Sequence, residues 1–237
     1  MSTQPLELEI NFAFPWRDLE NDRVKLVPFN PSQHGPEYWA GSKDHPELYD
    51  YLPWGPFPTL SALLVYLDAR FHRSSQCLVL AVLDKTATSE SEPPALAGLV
   101  GFLHADPANL SVEVGVLVCL PAFQRRRVTY AAVALLLQYA LNLPADGGLG
   151  LRRVQYQANV GNDRSVAFAT KMGFRLEGIT RWQRVLDGHK PGNGAKRREG
   201  DPRAGSVGRD TAILSICWDD WEDGKRAAIC LPEYTMY

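Results

Sequence analysis

The sequence predicts an α/β protein built around a mixed sheet. Three observations predict it. Seven apolar runs have strand length. Helical segments interrupt those runs without strict alternation, which favours a mixed sheet over a doubly wound parallel one. The 237-residue chain is also long enough to bury a core without staples.

The elements follow in order. RVKLVPF (23–29) alternates and reads as the first strand. Residues 30–58 are rich in Pro, Gly and aromatics, with only short helical pieces expected around Tyr38 and Leu48. The segment 59–74 reads as a helix with Thr59 as its N-cap. Strands at 76–84 and 95–105 flank a polar loop at 85–94 and should form an antiparallel hairpin. A strand at 110–120 leads to Pro121 and then to an apolar helix from Val128 to Leu141. A strand at 151–159, a short helix at 162–173 closed by Gly173, and strands at 174–186 and 211–218 complete the series. WDDWEDGKRAA (218–228) reads as an acidic turn leading into a short helix.

Composition excludes several classes. The net charge of −2 argues against a general nucleic-acid binder. No pair of the four cysteines has CxxC spacing, so no metal site is expected, and Cys77, Cys119 and Cys217 read as core thiols of a reducing compartment. No basic-then-apolar leader opens the chain, and the 128–143 helix is too short for a membrane span. The expectation is a cytoplasmic protein, monomer or homodimer, with no nucleic-acid or membrane partner. Residues 1–21 read as an N-terminal extension and 22–237 as one domain. Within it, 188–209 carries six glycines and six basic residues against two acidic ones, and reads as a flexible basic insertion.

The most informative stretch is LPAFQRRRVTYAA. Arg125, Arg126 and Arg127 stand at the N-terminus of the 128–141 helix, the end at which the helix dipole disfavours cations. A bound phosphate would turn that repulsion into attraction, because it would meet free backbone N–H groups and guanidinium groups together. Alternatively the arginines simply point into solvent. Neither GxxxxGK[ST] nor GxGxxG is present.

An ordered set of motifs now becomes visible: Glu113-Val114-Gly115, Pro121, Gln124 through Thr129, Asn159, Asn162, Ser165, Gly173-Phe174 and Glu177-Gly178. It resembles the GNAT superfamily of acetyl-CoA-dependent N-acetyltransferases. The likeness is greatest to the branch of ribosomal-protein N-terminal acetyltransferases, which YLPWGPF (51–57) and GRDTAILSI (208–216) also resemble. It covers roughly residues 22–226. The resemblance implies a mostly antiparallel central sheet of about six to seven strands flanked by helices. It implies acetyl-CoA as cosubstrate and a primary amine as acceptor, on a small molecule or a peptide N-terminus.

The resemblance also assigns residues. Val116, Leu117 and Val118 would offer main-chain contacts to the pantetheine arm. Gln124, Arg125, Arg126, Arg127, Val128 and Thr129 would hold the pyrophosphate. Asn162 and Ser165 would reach the thiol end, with helix capping as their plain alternative. Glu113, an acid inside a strand of Val and Leu, is the candidate base, or else a structural carboxylate. His104 is an outside candidate. Tyr51 and Trp54 would wall the acceptor or else merely close the core, and Trp182, Arg184 and Asp210 would face the acceptor side. Two departures stand out. Arg127 and Thr129 replace small residues, and Ala169 replaces the family's frequent tyrosine acid. They motivate a second reading, an inactive acyl-CoA-binding module.

Overall fold

The computed structural model describes residues 10–86, 93–196 and 198–230. The middle of the expected 85–94 loop and the first nine residues of the expected extension lie outside them. Eight strands form one sheet: β1 (Leu19–Glu20), β2 (Val24–Pro28), β3 (Leu78–Asp84), β4 (Ala95–Asp106), β5 (Ser111–Cys119), β6 (Arg153–Asn159), β7 (Arg175–Leu186) and β8 (Val207–Cys217). Their spatial order is β1-β2-β3-β4-β5-β6-β8-β7. Every pairing is antiparallel except β5 with β6. The fold is therefore the mixed, mostly antiparallel one expected, with one strand more.

Helices cover both faces, which explains why several strands are apolar runs rather than alternating ones. Helix α3 (Val128–Leu141) packs on one face with Leu26, Leu80, Phe102 and Val154. Helices α1 (Pro31–Ser42) and α2 (Leu60–Leu67) cover the other, with Tyr38, Leu63 and Leu67 against Val79, Leu99 and Val118. The short helix α4 (Asp163–Lys171) packs beside β6.

Local chemistry sets the boundaries. Asn30 caps α1 by accepting from the N–H groups of Ser32 and Gln33, and Pro31 stands in the first turn, so a full helix forms where only short pieces were expected. Thr59 caps α2 as predicted, accepting from the Ala62 N–H at 3.1 Å. Strand β8 starts at Val207, inside the expected loop, and pairs with Leu186 of β7. Phe12, Phe14 and Trp16 pack on the core, so part of the expected extension is anchored. Among the described residues no helix is long and apolar enough to cross a membrane.

The Glu-Gly motif has a structural meaning. Glu177 takes both Arg153 guanidinium nitrogens at 2.6 Å and the Ser215 hydroxyl at 2.8 Å, tying β7, β8 and β6 together. Arg153 holds its carboxyl down to about 2 from the usual 4.5. A folded-state value below the unfolded one contributes stability above the ordinary value and loses it on acidification. Between about pH 5 and about pH 2 the protein should therefore lose about 1 kcal/mol that Glu177→Gln lacks, a modest figure because the pair is partly exposed. Equal acid sensitivity of the two proteins in urea melts would contradict this.

Candidate active site

The site begins with a defect in the sheet. Leu99 of β4 pairs with Val118, but Gly101 pairs with Gly115, so β5 carries one extra residue. That bulge holds Val116 at φ 55°, a left-handed value costly for a β-branched side chain. A bulge bends its strand. Beyond Val114↔Tyr156, β5 and β6 no longer pair. The opening between them leads into a cavity of about 500 Å³ whose wall includes Glu113, Gly115, Val116, Leu117, Tyr156 and Ser165.

A chain of polar contacts reaches this cavity. Arg153 donates to the Gln155 side-chain oxygen at 3.1 Å, which turns the Gln155 amide nitrogen towards Glu113 Oε2 at 3.3 Å. The same oxygen contacts His104 Nδ1 at 2.9 Å. Glu113 is 5% exposed. In the tautomer whose Nδ1–H donates to this carboxylate, Nε2 keeps its lone pair. His104 sits at a second bulge, with φ 49°, where the register shifts between Leu103 and Asp106. The bulge re-aims its ring.

Across the opening, the Tyr156 and Ser165 hydroxyls lie 2.9 Å apart. Burial pushes the Tyr156 phenol up to about 12. Asn162 caps α4 by accepting from the Ser165 N–H at 3.1 Å, and it also lines the cavity, so its two readings are compatible.

Tyr51 and Trp54 form part of the cavity wall, and Trp54 also packs in the core. The segment is clamped from behind. Lys190, 5% exposed, donates to the carbonyls of Tyr49, Leu52 and Trp54 at 3.0, 2.8 and 2.8 Å. Thus the segment predicted as a flexible insertion contributes a buried contact.

The wall is basic. Arg70, Arg184, Arg203 and Arg209 line it, and Glu113 is the one carboxylate among the lining residues. Burial lowers Arg209 from 12.5 to about 10, Arg184 pushes the same way, and Glu113 opposes.

The 124–129 segment lies outside the cavity lining. It follows the C-terminal end of β5, past the short helical turn Pro121–Phe123. Arg125 and Arg127 have φ 66° and 60°, so the two backbone turns that small residues would make easily are made here by arginines. No side chain caps α3 at Arg127. Arg126 stacks over Phe123, and its carbonyl accepts from Arg23 at 2.8 Å.

Two expectations, for Trp182 and Asp210, need correcting. Trp182 is outside the cavity. The β7 register shifts between Thr180 and Arg184, which breaks the two-residue alternation, and the Trp182 ring lies over Gly208. Arg184 and Gln183 line the cavity. The side chain of Val118 packs in the core, which leaves its expected main-chain role untouched. Asp210 accepts from the Trp182 N–H and the Asn193 amide, so it shapes the β7–β8 hairpin. Sequence reasoning missed Tyr156 and Arg209. Alternation along QYQAN made the first look like plain core, and the loop assignment hid the second.

Comparison with known proteins agrees with this geometry. An acetyltransferase (GNAT) domain model matches residues 23–175. A GCN5-related N-acetyltransferase from Brucella melitensis superposes with a TM-score of 0.71 at 28% identity, covering 92% of this chain and 86% of that one. Spermidine N-acetyltransferase from Vibrio cholerae, in complex with CoA and spermine, superposes at 0.59 with 16% identity over 85% of this chain and 99% of that one. The Microcin C7 self immunity acetyltransferase MccE, in complex with acetyl-CoA and AMP, does so at 0.60 with 22% identity over 83% and 93%. The last two likenesses show the fold. No curated protein matches the chain significantly. Matched by the domain model over more than half its length and carrying the opened β5–β6 pair, the chain belongs to the GNAT acetyltransferase family and is an acyltransferase of the N-acetyltransferase type.

Proposed function

We propose that the protein transfers acetyl from acetyl-CoA to a primary amine by direct attack in a ternary complex. The observation that carries this reading is the opened β5–β6 pair, with the His104–Glu113 contact on one side and the Tyr156–Ser165 pair on the other. The pantetheine arm lies along the main chain of Gly115–Leu117, on the side from which β6 has parted, and N–H groups there stabilise the carbonyl oxygen as it gains charge. The pyrophosphate rests on the uncapped start of α3 among Arg125–Arg127.

The neutral amine attacks the thioester carbon, and the C–S bond breaks as the C–N bond forms. The amine proton passes to His104 Nε2, with Glu113 holding the imidazole and stabilising its charge. Thiolate leaves beside Ser165 and Tyr156. A phenol near 12 stays protonated at neutral pH, so it stabilises the thiolate by hydrogen bonding relayed through Ser165 rather than by full proton transfer. This pair occupies the role left open by Ala169, which is fully buried in the core.

Calorimetric titration with acetyl-CoA, ATP and pyrophosphate tests the reading. Acetyl-CoA should bind selectively, and Arg126→Glu, at an exposed position, should weaken it by about tenfold or more with the melting temperature unchanged. Equal weak binding of all three ligands would refute the reading. Selective binding without thiol release from any amine would favour the inactive acyl-CoA-binding module.

A further inference from the structure

Arg184 and Arg209 are direct cross-strand partners in the β7–β8 register. Both line the active-site cavity. Like charges placed opposite one another on neighbouring strands destabilise a sheet. Here the conflict is sharpened by burial, because Arg209 is 5% exposed. The Nε atoms of both residues are buried without a hydrogen-bond partner.

The available acid does not neutralise them. Glu113, the one carboxylate in the lining among the described residues, is already engaged by His104 and Gln155. Two further arginines, Arg70 and Arg203, stand exposed on the same wall. An uncharged donor shares the same wall: the Asn159 amide nitrogen, on β6, is buried and lacks a partner among the described residues. Two cross-strand guanidinium groups with spare N–H groups, with that amide on the same wall, form a receptor for a planar, bidentate anion.

We propose that the Arg184–Arg209 pair is a carboxylate subsite, so that one of the two substrates carries an acid group next to the reacting centre. This rests on the acyl-transfer reading above and narrows its substrate class. The carboxylate could belong to the acceptor, an amine with a nearby acid group, or to the acyl chain, as in a dicarboxylic acyl-CoA. A polycation such as a polyamine is the wrong partner for this wall, which would repel it as the arginines repel each other.

The test has two arms, each read as thiol release. In the first, acetyl-CoA is held constant while free amino acids are compared with their carboxamides and with spermidine. In the second, succinyl-CoA is compared with acetyl-CoA over the same amines. A preference for the carboxylate of on the order of 10–100-fold in kcat/KM is expected in one arm, the size of a charge-assisted hydrogen-bond pair. The arm that shows it identifies which substrate carries the acid. Arg184→Gln should abolish that preference through KM, read as the ratio of kcat/KM for each carboxylate to that of its uncharged counterpart.

Stability separates a ligand role from a structural one. Arg209→Met removes a buried charge from a repelling pair, so its melting temperature should hold or rise while the carboxylate preference is lost. No carboxylate preference in either arm, a preference for spermidine, or a fall in melting temperature with the preference intact would each overturn the proposal. Selective acetyl-CoA binding would then still support the transferase. Loss of acetyl-CoA binding in the parent protein would bring down both.

Discussion

Replacing His104 with alanine should lower kcat by about 10²–10⁴-fold, the usual worth of a positioned base, while acetyl-CoA affinity changes little. The expectation follows from the ring's surroundings. Glu113 Oε2 lies 2.9 Å from Nδ1, which leaves Nε2 to take a proton. The carboxylate itself is almost fully enclosed and shared with Gln155. Glu113→Gln should therefore cost less than His104→Ala, because the amide oxygen can still accept from Nδ1–H. It loses the charge that stabilises imidazolium, not the base. The double variant should be little worse than His104→Ala alone, since both residues serve one proton transfer. Rate against pH for each variant decides the roles. If Glu113→Gln costs more than His104→Ala, the carboxylate takes the proton and the imidazole is only a rim group.

Much of this site was legible in the sequence, and the illegible part has a physical cause. Glu113 stood out because an acid inside an apolar strand needs a reason. Ser165 and Asn162 stood out because they open a helix. Strand β5 and helix α3 were readable because their apolar runs are long and end at Pro121 and Pro144. What could not be read were departures from regular backbone. Val116 and His104 adopt left-handed φ without being glycine, and each sits at a bulge that only the pairing with a neighbouring strand reveals. Trp182 and Arg184 read as neighbours on one face, but the β7 register shift between Thr180 and Arg184 leaves only Arg184 of the two on the cavity wall. Gly208 and the basic residues around it resembled a loop, yet β8 begins at Val207, and that single boundary concealed Arg209 as a lining residue. Charge alone marked the 125–127 arginines as worth explaining. It could not mark the 184–209 pair, because what makes that pair unusual is register.

Lys190 is the second position where a large effect is expected. Its ammonium group satisfies three carbonyls of the 49–54 segment, two of these contacts being fully buried. Three donors meet three acceptors, and the Tyr49 carbonyl also accepts from the Leu52 N–H at 3.0 Å. Lys190→Met keeps most of the apolar stem and removes every donor. The Leu52 and Trp54 carbonyls lose this donor, at about 1–3 kcal/mol each, so the variant should lose on the order of 2–6 kcal/mol. In a chain of this size that lowers the melting temperature by roughly 4–24 °C. Function should respond selectively. Tyr51 and Trp54 line the cavity, whereas the α3 N-terminus lies elsewhere. Below its lowered melting point the variant should show a raised KM for the amine with acetyl-CoA affinity nearly intact. An Arg at the same position is longer and forked, and should restore little, since the three carbonyls converge on a point charge. If Lys190→Met melts like the parent and keeps its amine KM, the clamp does not hold the wall, and the 49–54 segment is shaped by its aromatic packing alone: Tyr49 on Trp54 at 5.5 Å and Trp54 on Phe57 at 6.1 Å between ring centres.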